Sequence, residues 1–479
     1  MHSMRVRRQR PTSTSRSSTS TPAGQRMDAL QPGAVTRTGT PVGRLDRLPV
    51  TGFQIFWVTV LGLGYLIETF DNIAFGFVAP TIRNEWGLSI GQIGLVTSAV
   101  FLGMFAGAIG GGRLSDRFGR KPVLIGSSIF YSAASLLSAL APNFETLVLG
   151  RVLTGVGVQA ATGVIMVYLS EMFPSASRGR FFTVMTFIGF VASPITSMTA
   201  LAIVPHGDGA WRWIFALGSA GVIIALIAAV ALPETVRWLV AHGREHDADR
   251  VVSRLEAAAG RRGPLPPVQA EAPTPPAGSM RDLFQPQYAR RLVVLGITFA
   301  MLVYCLYGFV SWVPTVLVDR GLGQSEALEI ASKIAFGPLL APFLLFAIAD
   351  RIERKHAVLG AGLITGAAMV VFGAVDDQTA TIVSGFIVQV GLSSLTTSFY
   401  TYLPEVFPTS VRGVGAGVVN GIGRLAGIAS GVTVAAIYAS QGSGVLYLGL
   451  GLGLIAMGLI AGVFGPATTQ RPLEDISTS

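Results

Sequence analysis

Glu68 and Asp71 stand three residues apart inside an apolar run over 53–80. That spacing puts both carboxylates on one face of a helix, and Tyr65 and Asn72 share roughly that face. Other apolar runs hold Arg151 with Gln159 two turns on, and Arg424 beside Asn420. An ionisable group inside a membrane-length segment costs at least about 2.5–3.5 kcal/mol on insertion scales, so each is a functional candidate. A carboxylate that dryness pushes up in pKa and a nearby arginine pulls down can take and release a proton. Arg151 and Arg424 each offer a guanidinium fork that matches a carboxylate in bidentate fashion. Tyr304, Tyr307, Trp312, Phe399 and Tyr400 could stack on a planar ligand, and the hydroxyl run Ser393, Ser394, Thr396, Thr397 and Ser398 could donate to it. The bland alternative for Asp71 and Arg151 is a static ion pair holding two helices together.

The elements that position these residues come in two copies. Asp116-Arg117-Phe118-Gly119-Arg120-Lys121 recurs 234 residues on as Asp350-Arg351-Ile352-Glu353-Arg354-Lys355, and Tyr168 to Pro174 recurs as Tyr402 to Pro408 at the same offset. Each second motif is followed by an Arg-Gly pair, at Arg178 and Arg412. A shared offset in two unrelated motifs means two homologous halves. The chain is 51% hydrophobic and 13% charged, against about 25% charge in soluble domains. Its 479 residues leave room for about 12 spans of roughly 20 residues. Six apolar spans precede and six follow a polar, Pro-rich segment, and in lipid each must be helical to satisfy its own backbone. The expected organisation is a disordered basic tail over 1–50, a first bundle over 51–233, a linker over 234–291, a second bundle over 292–465 and a tail over 466–479. Glycines 103, 107 and 111, four apart, are expected at close helix contacts.

The net charge of +9 does not point to nucleic acid. Basic residues crowd 113–121, 178–180, 237–291 and 351–355 and thin out in the alternate connections, which is the positive-inside pattern and puts both termini and the linker in the cytoplasm. The lone Cys305 allows no disulfide within the chain. No phosphate loop, nucleophile elbow or metal-spaced His/Cys cluster is present, and the five histidines lie outside the spans, so an enzyme is not expected.

Gly112 to Lys121 has the pattern G-x3-D-R-x-G-R-K and resembles the signature between helices 2 and 3 of the major facilitator superfamily. The resemblance covers about residues 50–465. It implies an all-α membrane protein: 12 transmembrane helices as two six-helix bundles related by a pseudo-two-fold axis, alternating access to a central site. A narrower likeness is to the sugar-transporter branch and its metabolite:proton relatives. It rests on Arg151-x-x-x-Gly155-x-Gly157, on Glu171-x-Phe173-Pro174-x-x-x-Arg178-Gly179, and on Pro233-Glu234-Thr235-Val236-Arg237-Trp238-Leu239. The helix-7 segment from Tyr304 to Thr315 looks like that of carriers of aromatic and other organic acids. The chain lacks the Gln-rich helix-7 motif of sugar porters and the helix-5 motif of drug antiporters.

The resemblance implies a proton-coupling set of Asp71, Glu68 and Arg151. Asp71 matches the helix-1 aspartate of proton-coupled members, whose partner matches Arg151. The substrate-binding candidates are Arg151, Gln159, Tyr304, Tyr307, Trp312, Tyr400, Asn420 and Arg424. The gating candidates are Gly112, Asp116, Arg117, Gly119, Arg120, Glu171, Arg178, Glu234, Arg237, Asp350, Arg351, Glu405 and Arg412. The expected activity is import of a small organic or aromatic acid across the cytoplasmic (inner) membrane by proton symport. A sugar or polyol symporter or facilitator is the alternative, and a proton-driven efflux carrier the second. No metal or cofactor is expected beyond the proton as coupling ion. A monomer, the lipid bilayer and a small-molecule substrate are the expected state and partners, without nucleic acid.

Overall fold

A computed structural model describes residues 39–261, 263–268, 280–348, 352–407 and 411–466. Among them the regular structure is helical. The first half comprises α1 (Pro41–Asp46), α2 (Gly52–Trp86), α3 (Ile90–Phe118), α4 (Arg120–Ala139), α5 (Phe144–Met172), α6 (Ser175–Ile203), α7 (Trp211–Gly218) and α8 (Gly221–Ala231). Two polar helices follow, α9 (Val236–Ala241) and α10 (Glu245–Gly260). The second half comprises α11 (Pro286–Val310), α12 (Val313–Asp319), α13 (Gln324–Ile334), α14 (Ala341–Ile348), α15 (Arg354–Ala374), α16 (Gln378–Val406) and α17 (Arg412–Phe464).

Eleven of the described helical segments are long and apolar enough to cross a membrane. One of them, α17, runs for 53 residues with a break at Gly442 (φ 80°). At about 1.5 Å per residue that is far more than one span, so α17 is two spans joined at this glycine. The sixth span is α7 and α8 end to end. Large apolar side chains point outward along the spans, for example Leu226, Val230, Phe343 and Ile364, as a lipid-facing surface requires. The two halves share a register: α2, α3, α4 and α5 begin at Gly52, Ile90, Arg120 and Phe144, and α11, α13, α15 and α16 begin 234 residues later at Pro286, Gln324, Arg354 and Gln378.

Local chemistry sets the helix ends. Ser89 and Gln92 form a capping box that starts α3, Asn143 caps α5 and Asp377 caps α16, each satisfying otherwise orphaned N–H groups. Inside the first bundle α3 lies directly on α5. A Cβ on Gly103 would stand 2.0 Å from the Val152 carbonyl oxygen, and one on Gly107 2.2 Å from that of Val156. The glycine spacing therefore does mark backbone contact. One sequence expectation is corrected. Residues 41–50 are not part of a disordered tail, because α1 packs Leu45 into an apolar cluster and its Arg44 is buried against α10.

The halves meet at the end away from the basic loops. Arg83 of α2 pairs with Asp319 of α12 at 2.6 Å, and Tyr438 of α17 donates to the same carboxylate at 2.7 Å. Gln324 of α13 donates to Thr81 of α2 at 2.5 Å. Deeper in, Ser98 of α3 donates to the Ile428 carbonyl of α17 at 2.7 Å. Among the described residues, no salt bridge joins the halves at the basic-loop end.

Candidate functional site

Asp71 and Arg151 meet in the middle of the first bundle, both fully buried, with Oδ2 at 2.9 Å from Nη1. The arginine also donates from Nη2 to the Asp71 backbone oxygen at 3.0 Å, and its guanidinium lies 5.1 Å from the Phe215 ring centre. Ser135 of α4 is in hydrogen-bond contact with the other carboxylate oxygen of Asp71. Arg151 also lines a narrow cavity between the halves, together with Asn72 and Gly76 of α2, Phe101 of α3, and Tyr307 and Ser311 of α11 and its end. One helical turn from Asp71, the buried Glu68 accepts a hydrogen bond from Thr162 at 2.7 Å. Its other oxygen has no partner. Asn72 Oδ1, Tyr131 Oη, Thr154 Oγ1, Gln159 Oε1 and Arg151 Nε are likewise buried without partners. Unpaired buried polar atoms cost about 1–3 kcal/mol each. Five of these six belong to α2 and α5, on the face where Asp71, Glu68 and Arg151 gather.

Arg424 is placed differently. It is half-buried in α17, and among the described residues its polar contact is the Met104 sulfur at 3.6 Å. Among the described residues it has no carboxylate partner. Tyr65 of α2 lies within electrostatic range of Glu68, Tyr307, Tyr400 and Arg424, and Tyr400 of Arg424 and Tyr307. Tyr65 and Met104 of the first half and Tyr400 of the second thus lie near the Arg424 guanidinium. Tyr307 stacks edge-on against Phe101 at 4.3 Å, and Tyr400 is half exposed beside Phe299.

Residues 61–432 match the family model described as the Major Facilitator Superfamily. The chain belongs to that superfamily. It is 27% identical to the niacin transporter NiaP of Acinetobacter baylyi, over 91% of this chain and 99% of that one. It is 30% identical to a gallate transporter of Pseudomonas putida, over 86% of this chain and 90% of that one. The fold matches the partially occluded inward-open xylose transporter XylE of E. coli with a TM-score of 0.72 at 17% identity, covering 87% and 98% of the two chains. The protein is a multi-pass membrane transporter for a small molecule, not an enzyme.

The remaining members of the superfamily's signature gather at the basic-loop end of the first half. Arg120 forms a two-bond pair with Glu171, at 3.1 and 2.8 Å, and Glu171 also accepts from Thr235. Glu234 accepts from the backbone N–H of Arg120 at 2.9 Å, which caps α4. Gly119 sits there with φ 105°, and a Cβ on it would fall 2.2 Å from Glu234, so both backbone and space demand glycine. Asp116 is largely exposed and touches Arg120 at 3.1 Å. Arg117 lies over Phe118, Gly112 has open space around it, and Arg237 is within electrostatic range of Arg178. Arg178 donates to the Phe173 carbonyl and Arg412 to that of Phe407, each at 3.3 Å, so the two copies of this motif fold alike. Asp350, Arg351 and the Glu405 side chain lie outside the described residues.

The structure does not bring every substrate candidate to the cavity. Trp312 is fully buried against Tyr438. Tyr304 is tied to Thr433 at 2.8 Å, and Asn420 donates to its own helix at Ala416. Sequence reasoning missed Ser135, Thr162 and the Arg83–Asp319 pair. The serines at 128, 132 and 135, spaced as one helix face, were the readable signal for the first.

Proposed function

We propose that this transporter imports a small aromatic or related organic acid together with a proton, using Asp71 as the proton carrier, Glu68 as a second carboxylate and Arg424 as the anchor for the substrate carboxylate. The observation that carries this reading is the division of labour between two intramembrane arginines. Arg151 already holds Asp71, whereas Arg424 has no carboxylate partner among the described residues and lies within electrostatic range of Tyr65 and Tyr400. An unpaired guanidinium in a membrane span is costly unless a ligand answers it, and a carboxylate suits its fork. The tyrosines offer flat faces to a ring. Niacin and gallate, which the two relatives carry by name, are each an aromatic ring bearing a carboxylate.

A proton on Asp71 neutralises the charge that Arg151 answers, so protonation and the strength of this pair are linked. Closure at the Arg83–Asp319 end fits a carrier facing the basic-loop side, and the positive-inside pattern makes that side cytoplasmic. A monoanion moving with one proton is electroneutral. One uncompensated charge would instead draw about 2.3 kcal/mol from each 100 mV.

The test is uptake into proteoliposomes of labelled niacin, 4-hydroxybenzoate, gallate and xylose, with and without an inward proton gradient. Accumulation of one acid under the gradient, lost in Asp71→Asn while exchange persists, supports the reading. Gradient-independent uptake that survives Asp71→Asn sinks it.

A further inference from the structure

We propose that Ser135 is a positioning residue that lets Asp71 hold either protonation state in one place, by turning its single hydroxyl proton between the Asp71 carboxylate and the Phe215 carbonyl. The inference rests on the reading of Asp71 as proton carrier. Ser135 is fully buried. Its Oγ touches Asp71 Oδ1 and lies 2.8 Å from the Phe215 oxygen. A hydroxyl has one proton to donate and lone pairs to accept with, a backbone carbonyl only accepts, and a carboxylate only accepts until it is protonated.

Two arrangements satisfy these rules. With Asp71 ionised, Ser135 donates to Oδ1, and the Phe215 carbonyl keeps only the Ser219 N–H at 3.2 Å. With a proton on Oδ1, that O–H donates to Ser135 Oγ, and the hydroxyl turns to donate to the Phe215 carbonyl. No atom other than the hydroxyl hydrogen and the added proton moves. Arg151 stays docked in both, because its Nη2 holds the Asp71 backbone oxygen, which does not titrate.

The switch ends at a break in the sixth span. Phe215 lies in α7, which stops at Gly218, and the chain resumes as α8 at Gly221. A Cβ on Gly218 would sit 2.3 Å from Asp71 Oδ1 and 2.8 Å from Ser135 Oγ, so the break presses bare backbone against the pair. Protonation of Asp71 thereby adds a donor to a carbonyl at this joint. The charged and titratable groups facing Asp71 are Arg151 from α5, Tyr131 from α4 and Glu68 on its own helix. The α7 side contributes the Phe215 ring and backbone only.

The test compares wild type, Ser135→Ala, Ser135→Thr and Asp71→Asn in proteoliposomes, reading the pH midpoint of gradient-driven acid accumulation and, separately, exchange at zero gradient. A bond to the ionised form is stronger than one to the neutral acid, so its loss raises the midpoint, by about one pH unit. Ser135→Thr should restore the midpoint. An unchanged midpoint in Ser135→Ala, with Asp71→Asn still inactive in accumulation, overturns the role of Ser135 and leaves the symport reading standing. Accumulation that persists in Asp71→Asn overturns both. Should Ser135→Ala lose exchange too, infrared difference spectra of the purified protein on acidification decide. The acid C=O band absent from Asp71→Asn must change position in Ser135→Ala, and an unmoved band overturns the proposal.

Discussion

The first and second halves share a scaffold and differ in what they bury. At the 234-residue offset that aligns their helix starts, Asp71 corresponds to Cys305, Glu68 to Leu302, Ser135 to Met369 and Arg151 to Gly385. The second-half residues are apolar or small, and Cys305 is packed with its thiol 3.4 Å from the Leu450 carbonyl. Conversely, Arg424 corresponds to Phe190. The N-terminal bundle therefore holds the paired carboxylate, and the C-terminal bundle holds Arg424, which has no carboxylate partner among the described residues. Duplication supplies two walls of equal length, and a few substitutions per wall give them different charges, which on the proposed reading divides proton handling from anion binding. Charges are expensive inside a membrane, so each half keeps the minimum its task needs.

The largest expected effect contrasts Asp71 with its counterpart. Asp71→Asn should abolish gradient-driven accumulation, whereas Cys305→Ala should leave it within about twofold, since one buried sulfur against packed helices is a modest loss. Equal defects in both variants would break the comparison. Arg151→Ala leaves a buried carboxylate unpaired, which costs about 3–5 kcal/mol. That variant should show a lowered thermal transition as well as lost accumulation.

The next effect belongs to Arg424. Removing a charge-assisted bond to the substrate carboxylate costs about 1.5–3 kcal/mol, so Arg424→Ala should raise the KM for the acid by about 10- to 150-fold. Arg424→Lys should recover only part of this, because an ammonium lacks the planar fork. Counterflow assays with the acid and its amide separate the cases. A variant that weakens both ligands equally would assign Arg424 to packing instead.

A smaller effect is expected where the halves latch. Arg83 and Asp319 are each about three-tenths exposed, at 27% and 30%, and such pairs contribute roughly 0–1 kcal/mol. Arg83→Ala should raise labelling of a cysteine placed at Ser311, in a Cys305→Ala background, by up to about fivefold with an impermeant thiol reagent added from that end. No rise would mean that helix packing, chiefly α3 on α17, holds that end shut by itself.

The fold was legible because its determinants are periodic and local. The offset between Asp116 and Asp350, the apolar runs and the four-residue glycine spacing showed the halves, the spans and the close-packed face of α3, though not its partner. Asp71 and Arg151 were legible as costly charges matching a family motif. Partnering across helices was not legible. Nothing near Glu234 in the chain shows that it caps α4, 114 residues away, and nothing around Trp312 shows that it turns into the core rather than the cavity. Tyr307 and Trp312 share one apolar segment, and only the helix break between α11 and α12 separates their surroundings.

The smallest effect lies outside the membrane, and it contrasts the buried Asp71–Arg151 pair with a pair at the water's edge. Arg44 of α1 bonds Glu256 at 2.6 Å and Asp249 at 2.7 Å, and Arg47 bonds Glu256 at 2.7 Å. The hydrogen bonds that Arg44 donates to Glu256 hold the Arg44 pKa above its ordinary value. Partial burial pushes the Glu256 pKa up, but the bonds from Arg44 and Arg47 outweigh it and leave that pKa below the ordinary carboxylate range. A depressed carboxylate pKa stabilises the docked state above the unfolded value of about 4.3 and loses that contribution as pH falls through the folded value. Docking of α1 on α10 should therefore be constant from neutral pH down to about 5 and loosen below about 4. Hydrogen exchange in α1 reads this directly. Arg44→Ala should speed exchange there at neutral pH while leaving α2 protected. If α1 exchanged equally slowly in Arg44→Ala, burial of Leu45 and Leu48 would be what holds it, and the contrast between an ion pair inside the membrane and one outside it that anchors a helix would lose its second member.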